Sequence, residues 1–516
     1  MQLMRNARKR TLILLFAILL GSLCPAFGWA ASSRPADSAA IQWKMQQLIN
    51  FLDSATYKNM VTWEEHIVLV YKLTKGRNPS PLEFYVLNAY HDDISLQRSA
   101  ALSIVLRGKA RHPSWSQCRD FLQKVRFSDF RADREVAAQS QQLRQIPAPE
   151  ILSRLKQRVD ALKPSPSAGL PGAKSAEPDV HYNVYFGYLH AHSELSDGAG
   201  SPSRAYQTAR ASGLDFFALT DHGELLIIWP WENKWEQLVT AAEQYYQSGS
   251  YVTLWGFEWS NPLLGHVNVI NTTDFTETFS DFWLTDLYAW IIDRPAAFAL
   301  FNHPGHYDFL SLELFHLNLY PDVVPQMVGI ELWNGSESFD SFYYDGNWYD
   351  FLDFLSYWDL GNWLGWHLGA QGGQDNHATD WGAQNDFRTA VLATSLTREA
   401  IIDAYRNRRF YATEDKDLFL DLRCQGFPMG SRLSGGPREF EVTARDESGD
   451  TFSGVRLYRS GIPWQSVAVS GNLIQVTLTD PLPFGDAYYY VIVTQADDND
   501  DNGRNDEAIS SPIWIE

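Results

Sequence analysis

The sequence is poor in cysteine, in positive charge and in long apolar runs. It has three cysteines in 516 residues. Cys24 falls in a leader-like segment, which leaves Cys118 and Cys424 in regions that read as different domains. So few thiols argue against a disulfide framework. One hydrophobic run stands out, Thr11 to Leu23, and it is shorter than the ~20 residues a spanning helix needs. No second such run follows, so no transmembrane domain is expected. Lys and Arg number 42 against 62 Asp and Glu, for a formal net charge of −20. That balance argues against nucleic acid and anionic membrane as partners. Between Arg294 and Arg388 there is no Lys or Arg at all. A polyanionic substrate is usually held by an Arg clamp, and this stretch offers none.

What is present begins with Arg5, Arg8, Lys9 and Arg10, then the apolar run, then Gly28-Trp29-Ala30 with small residues at both cleavage-determining positions. This pattern predicts a signal peptide over 1–30; an uncleaved anchor is the alternative. Leu23 is too large to precede a lipidated Cys24. Removing 1–30 takes away four positive charges and no acid, from −20 to −24. The expectation is an exported protein, periplasmic or extracellular, with no stable membrane insertion after cleavage. The remaining length is ample for two or three domains with cores of their own.

Residues 31–162 read as an all-helical accessory region. Ile41, Met45, Leu48, Ile49 and Leu52 recur at helical spacing, and prolines such as Pro79, Pro113 and Pro147 punctuate later runs. Its scattered histidines, His66, His91 and His112, suggest no chemistry. A Pro/Gly/Ser-rich linker occupies 163–180.

From 181 to 413 one device repeats: an apolar strand, then a metal-type residue at its end. The run Val184 to Leu189 leads into His190-Ala-His192, and side chains at i and i+2 of a strand share a face. Asp197-Gly198 follows as a turn. Leu214–Leu219 ends in Thr220-Asp221-His222, Tyr251–Trp255 in Gly256-Phe257-Glu258, and Ala296–Phe301 in Asn302-His303-Pro304. His266 rides on a short alternating strand, and Gly369–Gly373 leads to Gln374-Asp375-Asn376-His377. Ten of the 13 histidines lie between 181 and 377, the enrichment a metal centre predicts. Imidazole with carboxylate is the ligand set of zinc, manganese or iron. Alternating strands and helices suggest a parallel barrel whose strand C-termini converge on one face. Residues 414–516 change character: Leu418–Leu422, Phe440–Ala444, Val455–Tyr458, Ile474–Leu478 and Tyr488–Val493, separated by Gly, Pro and Asp turns, predict an antiparallel β-sandwich.

Gly187-Tyr-Leu-His190-Ala-His192, Thr220-Asp-His222, Asn302-His-Pro304 and Asp375-Asn-His377 resemble the signatures of the PHP (polymerase and histidinol phosphatase) superfamily of metallohydrolases. Leu396–Ile401, Arg408–Thr413 and the Ser511–Trp514 terminus resemble its carbaryl-hydrolase-like (CehA/McbA) branch. The resemblance spans roughly 181–516. It implies an α/β fold with a distorted (β/α)7-type PHP barrel. It also implies two to three divalent ions (Zn, Mn or Fe). His190, His192, Glu258 and Asp375 would hold one; Glu258, His266 and His303 a second; Asp197, His222 and His377 a third. Asp197 stands where some relatives carry histidine and keeps a hard oxygen donor. His266 is the loosest match, with a histidine satisfied in the core as the alternative.

Such a centre suits hydrolysis by a metal-activated water, with no serine or cysteine nucleophile. Asp221 is placed to orient His222 or its neighbours, or is an exposed turn residue. His306 would meet the leaving group, or serve a supporting or surface role. Glu331 and His367 read as strand residues of structural use. The function implied is a phosphoesterase acting on a small molecule. A carboxylic or carbamate ester hydrolase is the alternative, with the many tryptophans near the motifs as either pocket or core. A non-catalytic surface- or carbohydrate-binding protein is the second alternative, against which the complete ligand set argues. Last, Asp498-x-Asp500-x-Asn502-Gly503 has the opening of a calcium loop, but Ile509 stands where the bidentate Glu is expected. The loop is therefore either a calcium site of the C-terminal domain or a solvated acidic turn.

Overall fold

The computed structural model describes residues 177–227, 232–306, 313–346, 356–480, 486–497 and 503–516, together with helix α1 (Arg134–Arg144) and a few positions between 62 and 84. Most of the helical region expected over 31–162, the leader 1–30, most of the 163–180 linker, and Asp498, Asp500 and Asn502 lie outside the described residues. The chain divides into two compact units, 1–155 and 156–516. In the first, α1 is described, with helical positions at 64, 65, 67, 68 and 84. Among the described residues no helix is long and apolar enough to cross a membrane.

The second unit is α/β. Nine strands form a curled mixed sheet: β1 (Asn183–Tyr188), β2 (Phe216–Leu219), β3 (Val252–Asn261), β4 (Gly265–Ile270), β5 (Phe298–Asn302), β6 (Met327–Asn334), β7 (Gly369–Gly373), β8 (Arg388–Ala393) and β9 (Phe410–Thr413). Their order is β9-β8-β1-β2-β3-β4-β5-β6-β7. β1, β2 and β3 run parallel, as do β5, β6 and β7. The expected all-parallel alternation is interrupted: β4 pairs antiparallel with both β3 and β5, and β8 antiparallel with both β1 and β9. The physical reason for the first break is that only three residues join β3 to β4, too few for the crossover that parallel neighbours require. The curl brings β7 back toward β8, where Thr389 Oγ1 accepts from Gly372 N (3.0 Å) and donates to Gly372 O (2.9 Å).

Helices cover the strands. α2 (Pro202–Ala211) starts as the sequence dictates: Pro202 supplies a preset φ at its first turn, and the Ser201 side chain accepts from Arg204 N. Tyr206 on α2 donates to Leu254 O (2.7 Å) and so locks the helix to β3. α3 (Gly223–Leu226), α4 (Lys234–Tyr245), α5 (Leu284–Ile292), α6 (Tyr357–Leu364) and α7 (Arg398–Arg406) follow. Ile401, Ala404 and Tyr405 of α7 pack on Phe216, Leu254, Phe298 and Phe410. β1 and β2 approach closely at Gly187, where a Cβ would lie 1.9 Å from Phe216 O. A side chain there would push the two strands apart.

The C-terminal part is a sandwich. β10 (Leu418–Cys424), β11 (Phe427–Pro428), β13 (Glu439–Asp446) and β16 (Leu473–Thr479) form a separate antiparallel sheet. It packs Leu420, Leu422, Phe440 and Val442 against Val455, Leu457, Tyr489 and Val491 of the opposite layer. That layer holds β12 (Arg432–Leu433), β14 (Phe452–Arg459), β15 (Ile462–Ala468), β17 (Ala487–Gln495), β18 (Glu507–Ser510) and β19 (Ile513–Ile515). It is continuous with the curled sheet, because β18 pairs antiparallel with β9.

Candidate metal centre

The expected ligands arrive from seven segments of the curled sheet. The chain leaving β1 and the chain leaving β7 run together: Asp375 N donates to His190 O (2.9 Å) and His192 N to Asn376 O (3.0 Å). This pairing sets His190 and His192 beside Asp375 and His377. His222, just past β2, bridges to Glu258 on β3. In the β3–β4 hairpin Glu258 faces Asn268 and Ser260 faces His266. Alternation then puts all four side chains on one face of the sheet. His303 follows β5. His303 (φ 25°) and Asp375 (φ 46°) both hold positive φ, a conformation rare outside glycine and concentrated at functional sites.

Glu258, fully buried, is the hub. Its Oε1 lies 3.1 Å from His266 Nδ1, 3.2 Å from His190 Nε2 and 3.4 Å from His303 Nε2. Its Oε2 lies 2.8 Å from His222 Nδ1 and 3.6 Å from His192 Nε2. Asp375 Oδ1 is 2.9 Å from His192 Nε2 and 3.2 Å from His190 Nε2. Asp197 Oδ1 is 3.3 Å from His377 Nε2 and 3.5 Å from His222 Nε2. All nine expected ligands therefore come together. Glu258, His266 and His303 form one set, and His192, Asp197, His222 and His377 another. The expected first set appears as two overlapping ones: His190, His192 and Glu258, and His190, His303 and Asp375. Within each set one donor atom per residue lies within 4.8 Å of the others.

The electrostatics match a cation site. Burial would raise the Glu258 carboxyl, but His266, His190 and His222 hold it well below its usual range. Burial is likewise outweighed at Asp375, by His190 and His192, and at Asp197, by His222 and His377. His190 would be lowered by burial, yet Asp375, Glu331 and Glu258 raise it well above normal. His222 goes up to about 10 in the same way, through Asp197 and Glu258 against burial. Burial wins at His266, which falls to about 4. Ionised carboxylates among imidazoles whose nitrogens converge on shared points fit divalent metal ions. His192 Nε2, buried and without an aligned hydrogen-bond partner, points the same way.

Several supports escaped the sequence. Glu331, read there as a structural strand residue, holds His190 Nδ1 at 2.8 Å through Oε1. Its Oε2 accepts from His303 N (2.8 Å) and from Asn334 Nδ2 (2.9 Å). That leaves His190 Nε2 for the centre and fixes the ring. The available signal was one acid in the otherwise apolar β6, since a buried carboxylate needs partners. Asn302 Nδ2 donates to Glu258 Oε1 (2.8 Å), and Ser260 Oγ lies 2.6 Å from His222 Nδ1. Gly373 is required nearby: a Cβ would come within 2.5 Å of His190 Cβ and 2.6 Å of Glu331 Oε1.

Asp221 is fully buried rather than an exposed turn residue. Its hydrogen bonds go to Ser193 N (2.7 Å), Ser193 Oγ (2.9 Å) and Ser196 Oγ (2.6 Å), not to His222. It fastens the turn that carries Asp197. Lys234 Nζ fastens the same turn by donating to Leu195 O (2.8 Å) and Leu225 O (3.1 Å). His306 is exposed, its ring 5.5 Å from that of His303. Trp259, Trp333 and Trp366 are core side chains, while Trp363 is 64% exposed. His367 bonds Glu516 Oε1 (2.8 Å).

Residues 188–280 match the PHP domain. An uncharacterised protein of Chlamydia pneumoniae is 32% identical over 147 residues, 25% of this chain and 22% of that protein. The chain thus spans about a fifth of the length of the curated relatives it matches. Among solved structures, one is a two-domain protein of Bacteroides vulgatus containing a predicted PHP-like metal-dependent phosphoesterase. It is 18% identical, with 63% of this chain and 95% of that one covered, at a TM-score of 0.36. Another is the lesion-specific endonuclease Q of Pyrococcus furiosus, 13% identical over 43% of this chain and 56% of that one, at a TM-score of 0.28.

Proposed function

We propose that this chain is an exported metal-dependent hydrolase, and that its reaction is phosphoester hydrolysis on a small molecule. The observation that carries the reading is the Glu258 hub, one buried carboxylate shared between overlapping donor sets. The PHP-domain match over 188–280 supports the same reading. His190, His192, Asp197, His222, Glu258, His266, His303, Asp375 and His377 would hold two to three divalent ions. When bound, such ions supply Lewis acidity and lower the pKa of water toward about 7.

The chain's own residues do the rest. Glu331 holds His190 in the tautomer that offers Nε2 inward. Asp221 and Lys234 fix the turn bearing Asp197. His306, at the exposed rim next to His303, is the group placed to pass a proton to a leaving oxygen. We read 181–413 as a distorted (β/α)7-type PHP barrel, 414–516 as its sandwich partner, and residues 1–30 as the leader that takes the protein to the periplasm or outside the cell. The net charge of −20 supports a small substrate over the DNA on which endonuclease Q acts.

One observation favours a second reading. No Lys or Arg occurs between Arg294 and Arg388, which includes the stretches around His303, Glu331 and Asp375. A carboxylic or carbamate ester would need no cationic clamp. The deciding experiment assays chromogenic phosphate and carboxylic esters in parallel, each with zinc, manganese and iron. Phosphate turnover abolished by chelator supports the proposal. Carboxylic ester turnover alone selects the second reading, and activity that survives metal removal overturns both.

A further inference from the structure

Glu224, on α3, is a buried acid outside the histidine donor sets. Its place follows from how the chain leaves β2. Glu258 N donates to Asp221 O (3.2 Å), the last rung between that chain and β3. Ser260 N is the next amide on the same edge of β3. After His222 the chain turns away into α3, and a side chain takes that amide instead. Both carboxylate oxygens of Glu224 accept from Ser260 N, Oε1 at 3.2 Å and Oε2 at 3.3 Å. Oε1 also accepts from Thr278 N (2.9 Å). A Cβ on Gly223 would lie 2.5 Å from Thr276 O, so the glycine lets α3 close on the 276–278 stretch. One carboxylate thus ties α3, β3 and that stretch together.

Ser260 links this anchor to the histidines. Its Oγ lies 2.6 Å from His222 Nδ1 and 3.1 Å from Glu258 Oε2. Glu258 Oε2 is itself 2.8 Å from His222 Nδ1, so two oxygens compete for one nitrogen. Glu258 belongs to two of the donor sets, and a carboxylate engaged with a cation is a poorer partner for a ring N–H. The serine hydroxyl is then the group that fixes the ring. It accepts from Nδ1–H and leaves Nε2 toward Asp197 Oδ1, 3.5 Å away. The Ser260 backbone sets the position of that hydroxyl, and the Glu224 carboxylate holds that backbone.

We infer that Glu224 is a positioning residue: acting through Ser260, it sets the His222 ring for the donor set of His192, Asp197, His222 and His377. That role rests on the metal-centre reading above and singles out one set within it. The Asp197 and His377 side chains are 38% and 35% exposed, against 1% for His190 and Glu258. An ion held in part by exposed ligands depends on how firmly the buried scaffold fixes them. Asp221 and Lys234 fasten the turn that bears Asp197. Glu224 and Ser260 are the matching hold behind His222.

The test is a zinc titration of the metal-free full chain, read as bound equivalents and apparent Kd, with Tm measured on the same samples. Glu224→Ala should raise the Kd of one equivalent by about 10–100-fold, the same equivalent that His222→Ala weakens, and leave the others unmoved. Ser260→Ala deletes only a hydroxyl at a half-buried position and should do the same. Combining the two should cost no more than the larger single effect, because both act through one link. Glu224→Gln keeps an oxygen at Oε1, the atom that takes both amides, and should restore most of the affinity. A role confined to folding would lower Tm and leave the affinities alone. Unchanged zinc affinity in Ser260→Ala overturns the positioning role even where Glu224→Ala does not fold. So do additive effects of the pair, or a loss spread evenly over all equivalents. In each of those cases the unsubstituted chain still binds zinc and the metal-centre reading stands. An unsubstituted chain that takes up no zinc overturns that reading, and the role of Glu224 with it.

Discussion

Glu258 and Asp359 are both fully buried carboxylates in the same compact unit, and their surroundings drive them in opposite directions. Glu258 is ringed by imidazoles, and His266, His190 and His222 hold it ionised against its burial. Asp359, on α6, is ringed by hydroxyls: Ser356 Oγ at 3.0 Å, Tyr488 and Tyr490 at 3.1 Å. There burial wins and raises the carboxyl to about 7. Burial alone therefore does not mark a functional acid. What marks it is a set of neighbours that stabilise its charge and that can exchange their protons for a cation.

The isosteric amide is the sharpest way to break this comparison. Glu258→Gln removes the charge shared by several donor sets. It should lower metal content by at least one equivalent and take hydrolysis to background, measured by metal analysis and turnover on the same sample. Retention of full metal and full rate would make Glu258 peripheral. One step out, Glu331→Gln keeps the shape but weakens the hold on His190 Nδ1 and His303 N. Partners of this kind are worth about 10–100-fold in metal affinity or activity, so a titration with zinc should show an apparent Kd raised by that factor. Gly373→Ala probes the same contact sterically. Its Cβ would need the space of His190 Cβ and Glu331 Oε1, so a stability loss of about 1–3 kcal/mol by denaturant unfolding is expected, with weakened metal binding. An alanine accommodated at no cost would show that His190 has room to move.

These positions differ in how visible they were beforehand. Most of the candidate ligands were legible because they follow an apolar run with a chemically distinctive side chain, and His190 and His192 share a face by simple alternation. Glu331 was not, since a single acid in a strand looks the same whether it supports a ligand or caps a loop. The β3–β4 hairpin was legible as two strands, but its direction was obscured by a barrel expectation that assumes crossovers. The continuity of the sheet from β9 into β18 was invisible, because pairing between segments nearly a hundred residues apart leaves no local pattern.

Asp359 supplies the smallest expected effect and the other arm of the comparison. Its carboxyl titrates near 7 in the folded chain, raised by burial against the hydrogen bonds from Ser356, Tyr488 and Tyr490, and near 3.9 when unfolded. Tyr343 extends the network through Tyr490, with their hydroxyls 2.7 Å apart. Between those two values the folded state keeps a proton that the unfolded state has lost. Stability must then fall as pH rises from about 4 to 7, and this contribution levels off above 7. Asp359→Asn cannot titrate, so it lacks that slope. The difference in Tm, variant minus unsubstituted chain, should be near zero or slightly negative at pH 4 and grow more positive toward pH 8. Metal content and turnover should stay unchanged. Since every other group titrates equally in both chains, the difference isolates this one carboxyl. A difference that is flat with pH, or that grows more negative, would mean that Asp359 is ionised in the folded state. Hydroxyl neighbours would then stabilise a buried charge as well as imidazoles do.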